Sequence, residues 1–139
     1  MEGQARPTVI TILVDHDMEG QAFLLWGTLS ATGWLELLPM RLARFVDVGL
    51  PYDSTDREVW RFAQANQMLL LTNNRNMEGL ESLEQTIRDE GHSTALPVIT
   101  IGRAERIRER LYREQCVARL LEIIVDLDDY CGVGRVFIP

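Results

Sequence analysis

Asp15 and Asp17 stand two residues apart, directly after the apolar run Val9 to Val14. On an extended backbone, alternate side chains point to one side, so the two carboxylates would share it. Two like charges held that close are costly unless a cation joins them. Mg²⁺ or Mn²⁺ is the natural guest, because hard divalent cations take oxygen ligands and keep several waters. The competing role is structural, with Asp17 capping the following helix and Asp15 accepting backbone donors. His16 lies between them as a possible proton carrier, although on an extended chain its ring points away from both.

A second acidic group, Asp47, Asp53 and Asp56, precedes a helix that Asp56 opens, where a carboxylate serves capping as readily as catalysis. A third polar cluster, Thr72 to Asn76, follows the apolar run Met68 to Leu71 and is rich in neutral amides, which ordinarily serve turn geometry. Five arginines between Arg103 and Arg113 could clamp phosphates. Interleaved Glu105, Glu109 and Glu114 permit i,i+4 pairs, so a solvated ion-pair face is the favoured reading of that stretch.

Strands must carry these residues. Val9 to Val14, Met68 to Leu71 and Leu96 to Ile101 are continuous apolar runs, as expected of strands covered on both faces, and they should be adjacent or near-adjacent parallel strands. Arg44 to Val48 reads as a further strand, Trp34 to Met40 is ambiguous between strand and helix, and Arg135 to Ile138 closes the set. Between them, residues 19–32 form a helix ended by Gly33, and Thr55 with Glu58 forms a capping box that opens a helix ending near Asn66. Leu80 to Glu90 and Glu105 to Asp129 supply the remaining helices. The predicted fold class is α/β: three layers, with a mostly parallel sheet and helices on both faces, and ligands bound outside the carboxyl ends of the strands.

The chain of 139 residues, 46% hydrophobic and 25% charged, suits a single domain spanning 1–139. Its net charge of -7 opposes whole-surface attraction to nucleic acid. All 14 basic residues are arginine, which excludes a Walker lysine, a Schiff-base lysine and the strand-end lysine of phosphorylated receiver domains. Cys116 and Cys131 have no metal-binding or disulfide spacing and read as buried free thiols; Trp26, Trp34 and Trp60 read as core or interface residues. The short polar segment before Val9 and the brief apolar run after it give no signal peptide or membrane span, so a cytoplasmic location is expected.

The segments VDHD (Val14 to Asp17), VGLPYDSTDREVWRFA (Val48 to Ala63) and LLLTNNRN (Leu69 to Asn76) resemble those of small stand-alone PIN-like proteins of bacteria, related in outline to the VapC ribonuclease toxins. The resemblance implies a Mg²⁺- or Mn²⁺-dependent nuclease. It places catalytic roles on Asp15, Asp56 and Asn74, and metal ligation on Asp15, Asp17, Asp56, Asn74 and Asn76. Asn74 and Asn76 stand where the family usually carries aspartates, so the chain brings fewer charges to a dication. Asp17 takes a place often held by asparagine.

The expected activity is therefore metal-dependent cleavage of RNA, with Arg75, Arg103 and Arg106 as candidate contacts to phosphates. A toxin role implies an antitoxin-like protein partner; a homodimer is a further candidate assembly. The alternative is a non-catalytic PIN-like module that uses the same crevice to bind RNA or a protein.

Overall fold

The structure is a computed structural model that describes residues 9–74 and 82–139. Among these residues, five strands form one sheet: β1 (Ile10–Val14), β2 (Met40–Ala43), β3 (Leu69–Thr72), β4 (Val98–Ile101) and β5 (Arg135–Ile138). Their order across the sheet is β2-β1-β3-β4-β5, and every neighbouring pair is parallel. The three apolar runs read from sequence are the three central strands.

Strand periodicity splits the core into two layers. Ile12, Val14, Leu69, Leu71, Ile99 and Ile101 face one way and meet the helices α1 (Glu19–Ala31) and α6 (Arg110–Val125). Leu13, Leu70 and Val98 face the other way and meet α4 (Asp56–Ala65) and α5 (Leu83–Glu90). Each fully buried Leu or Ile on these faces contributes roughly 1.5–3 kcal/mol, so both layers are needed to hold the central strands. Shorter helical turns complete the set: α2 (Trp34–Leu37), α3 (Phe45–Val48) and α7 (Leu127–Tyr130), with 3₁₀ turns at His16–Met18 and Ala104–Arg108.

The connections β3 to β4 and β4 to β5 step in the same direction across the sheet, yet α5 and α6 cover opposite faces. The two crossovers are therefore of opposite hand, a departure from the usual uniformity. It places the long helix α6 against α1, where Val117, Leu120, Leu121 and Ile124 cover the face on which Ile99, Ile101, Val136 and Ile138 would otherwise be bare.

The sequence reading of Arg44 to Val48 as a strand is corrected: β2 ends at Ala43, and Phe45–Val48 is one helical turn. The Asp47 side chain accepts from the Arg44 backbone N–H at 2.9 Å and from its guanidinium, closing the turn at its start. Gly49, at φ 75°, ends it in the left-handed conformation that only glycine adopts freely. Local capping outweighs the β-propensity of Phe45, Val46 and Val48. The ambiguous stretch before it resolves into α2, entered through left-handed Gly33 (φ 81°), and the start of β2.

The predicted capping box is present: Thr55 Oγ1 accepts from the Glu58 N–H, and the Glu58 carboxylate accepts from the Thr55 N–H. Cys116 is buried, and burial pushes its thiol up to about 11. Cys131 is half-buried. Among the tryptophans, Trp60 is buried, Trp26 is packed against the core and Trp34 is exposed. No helix among the described residues is long and apolar enough to cross a membrane.

Candidate functional site

In the strand order β2-β1-β3-β4-β5 the chain leaves β1 toward one edge of the sheet and returns to the other side through β3. The carboxyl ends of β1 and β3 therefore flank the topological switch point, where open parallel sheets form a crevice. Asp15 follows β1, and Thr72 ends β3. The ladder between these strands continues past Val14, because the Asp15 N–H donates to Leu71 O at 2.9 Å. Backbone pairing thus fixes Asp15 beside Thr72, whose buried hydroxyl donates to Asp15 Oδ2 at 2.7 Å.

Beyond Asp15 the chain does not stay extended, as the sequence reading supposed, but turns into the 3₁₀ helix His16–Met18. The turn still gathers Asp15 and Asp17, and it adds His16 to them. One ligand atom from each of Asp15, His16 and Asp17 lies within 4.8 Å of the others. His16 Nδ1 is 3.7 Å from Asp15 Oδ1. Neither aspartate side chain caps a helix: the residue before α1 is Met18, and no side-chain cap bond is made there or at Asp15.

Burial raises the Asp15 carboxyl above its ordinary value; the Thr72 hydroxyl opposes that shift, and the Asp17 charge reinforces it. Asp15 is therefore a carboxylate kept in a poorly solvated place with one strong donor and a like charge beside it. A dication bound between Asp15 and Asp17 would relieve both penalties. Two carboxylate oxygens and one imidazole nitrogen suit Mn²⁺ better than Mg²⁺, which seldom takes nitrogen.

Asp56 and Asn74 also reach this edge but are engaged differently. Asn74 is tied to Asp15 through Thr72, whose Oγ1 accepts from the Asn74 N–H at 2.9 Å. Its side-chain Nδ2 donates to Asp56 Oδ2 at 2.9 Å, and the same oxygen accepts from the Leu83 N–H at 3.1 Å. Asp56 thus joins the start of α4 to the first turn of α5. An aspartate at position 74 would oppose Asp56 with a second acceptor; asparagine supplies the donor. Asp56 is not a member of the trio that meets around Asp15, although its charge adds slightly to the rise at Asp15.

Arg135 was not singled out from the sequence. Its side chain is only 10% exposed and reaches under the same edge. Nη1 donates to Asn74 O at 2.6 Å and to Thr100 Oγ1 at 2.8 Å, while Nη2 stands 3.4 Å from Glu84 Oε1. Burial lowers its pKa, against the opposing charges of Glu84 and Asp56. The available signal was an arginine opening an otherwise apolar final strand. His16 also belongs to an aromatic group missed from sequence. Its ring stacks on Phe45 at 5.4 Å between centroids with a 20° interplanar angle, and lies 5.5 Å from Tyr52.

Asp47 pairs with Arg44, which holds its carboxyl below the usual range, and Asp53 is exposed. Arg103 pairs with Glu105 at 2.7 Å, Arg106 with Glu109 at 3.0 Å and Arg110 with Glu114 at 3.1 Å, giving the ion-pair face favoured from sequence. Arg75 and Asn76 lie outside the described residues. No protein-family model, no curated protein and no solved structure matches the chain.

Proposed function

We propose that this protein is a metal-dependent ribonuclease of PIN type, with Asp15, Asp17 and His16 holding Mn²⁺ or Mg²⁺ in the crevice between the ends of β1 and β3. The observation that carries the reading is the meeting of these three donors at the switch point of a parallel sheet, one of them a half-buried carboxylate with a raised pKa. The resemblance of VDHD and LLLTNNRN to PIN-like segments supports the same assignment.

When bound, the metal supplies a Lewis acid for a phosphodiester oxygen and a water of lowered pKa. The chain's own residues do the rest. Thr72 fixes the rotamer of Asp15 through its hydroxyl, and the Leu71 carbonyl fixes its backbone. Asp17, exposed beside Asp15, adds a second negative charge. Asp56 and Asn74 act here as positioning residues, holding α5 and the end of β3 in register.

One observation favours a second reading, a PIN-like module that binds RNA or a protein without cleaving it: the Asp56 oxygen offered to a metal in such a site already accepts two hydrogen bonds. Hydrolysis separates the two. A fluorescein-labelled single-stranded RNA incubated with the parent protein should be cut in Mn²⁺, not in EDTA, and Asp15→Asn should slow cutting by about 100-fold or more. Absence of cleavage by the parent in Mn²⁺ and in Mg²⁺ would leave the binding module as the function.

A further inference from the structure

His16, Phe45 and Tyr52 form a three-ring cluster directly beside the Asp15 trio. Phe45 is its buried floor, at 1% exposure; His16 and Tyr52 both pack against it, Tyr52 at 6.4 Å and 29°, and they also meet each other at 5.5 Å, so the three rings form a triangle. Tyr52 itself is 56% exposed and the His16 side chain 37%. A large aromatic ring left that open beside the Asp15 trio forgoes much of the burial it could gain.

The ring is also held in place. Pro51 restricts the backbone before it, and Ser54 closes the turn by donating its hydroxyl and its N–H to Pro51 O at 2.7 and 3.1 Å. The Leu50 N–H donates to Phe45 O, anchoring the other end. Tyr52 is thus presented on a turn whose backbone is fixed at both ends, so less loop ordering is left to be done on binding.

Electrostatics narrows what such a platform would hold. The chain carries a net charge of -7, and Arg44, Arg57, Arg61, Arg103, Arg106 and Arg110 are each paired with a carboxylate. Neutralisation of a phosphate backbone is therefore a weak source of affinity, whereas stacking on a π-face needs no charge and accepts any base. In a duplex the bases are already stacked on one another; in a single strand they are free to splay onto a ring.

We propose that Tyr52, supported by Phe45 and flanked by His16, is a stacking site for one unpaired nucleobase next to the phosphate presented to the Asp15 trio. The substrate class is then single-stranded RNA, or an RNA loop, rather than duplex. The inference rests on the ribonuclease reading for the chemistry of the ligand but is tested independently of cleavage.

Fluorescence anisotropy in EDTA, with a fluorescein-labelled single strand of about eight nucleotides, reads the contact alone. The parent should bind the single strand at least about fivefold tighter than the same strand in a blunt duplex. Tyr52→Phe should bind as the parent does. Tyr52→Leu, which keeps the apolar packing on Phe45, should bind about tenfold more weakly with an unchanged melting temperature, and affinity should fall only shallowly with added salt. Equal affinity of Tyr52→Leu and parent, equal affinity for the duplex, or no binding of the single strand by the parent would each overturn the stacking site. If Tyr52→Leu loses binding while the parent fails to cut RNA in Mn²⁺, the ribonuclease reading falls and the stacking site stands.

Discussion

Asp15 and Asp56 reach the same edge of one sheet, yet they are treated differently by their surroundings. Asp56 Oδ2 accepts from the Asn74 amide and the Leu83 N–H, so its charge is met by donors of the fold itself. Asp15 has the Thr72 hydroxyl, a neighbouring like charge at Asp17 and a burial penalty strong enough to raise its pKa. A carboxylate supplied with donors stabilises a fold; one left short of them is available for a ligand. The acidic edge is therefore half latch and half candidate metal site.

The largest effect of breaking this contrast should come from the latch. Asp56→Ala removes the acceptor of two part-buried donors and should lower unfolding stability by roughly 2–4 kcal/mol, read as a drop in melting temperature of about 4–16 °C. Asp15→Ala, which strands only one hydroxyl donor, should cost less.

Next is Asn74→Asp, which replaces a donor to Asp56 with a like charge. In EDTA it should destabilise by about 1–3 kcal/mol. Added Mn²⁺ should restore the loss, and calorimetry should show tighter Mn²⁺ binding than in the parent, because a negative charge has been added at the same edge of the sheet as Asp15. Unchanged Mn²⁺ affinity would mean that the latch and the trio do not share a field.

The smallest effect is the most diagnostic. A carboxyl whose folded pKa is raised contributes stability below its unfolded value, near 3.8, that is lost as pH climbs through the folded value. In EDTA at pH 7, Asp15→Asn keeps an acceptor for Thr72 and sheds the buried charge, so it should melt slightly above the parent. The gap should close as pH falls toward 3.8. A variant less stable than the parent at pH 7 would show that Asp15 belongs with Asp56 as a structural carboxylate.

Glu90 offers the opposite sign. Arg61 and Arg57 hold its carboxyl at about 2, so its contribution is present above the unfolded value of 4.5 and lost as pH falls toward 2. Melting curves of Glu90→Gln and parent should therefore converge at acid pH.

Much of this arrangement was legible in the sequence because it depends on local rules. Apolar runs ending in polar residues gave the three central strands, and Thr55 with Glu58 gave the start of α4. Arg44 to Val48 was misread because β-branched and aromatic residues dominate its composition, while the feature that decides it is one reciprocal contact between Arg44 and Asp47. The joint role of His16 was missed for a related reason. Its direction depends on whether the chain after Val14 stays extended or coils, and the 3₁₀ turn reverses the alternation assumed for a strand. Thr72, Arg135 and Tyr52 act through contacts across 57, 61 and 36 positions respectively, the last counted from Tyr52 back to His16, and spacing along the chain carries no record of such contacts.

The central claim, that the trio around Asp15 rather than the latch around Asp56 is the place for a metal, is tested most directly by crystals of the parent protein grown or soaked with Mn²⁺ and measured for anomalous scattering. The account predicts a peak bounded by Asp15, His16 and Asp17, with the Asn74 to Asp56 hydrogen bond intact beside it. A peak between Asp56 and Asn74, or none at this edge of the sheet, would contradict it.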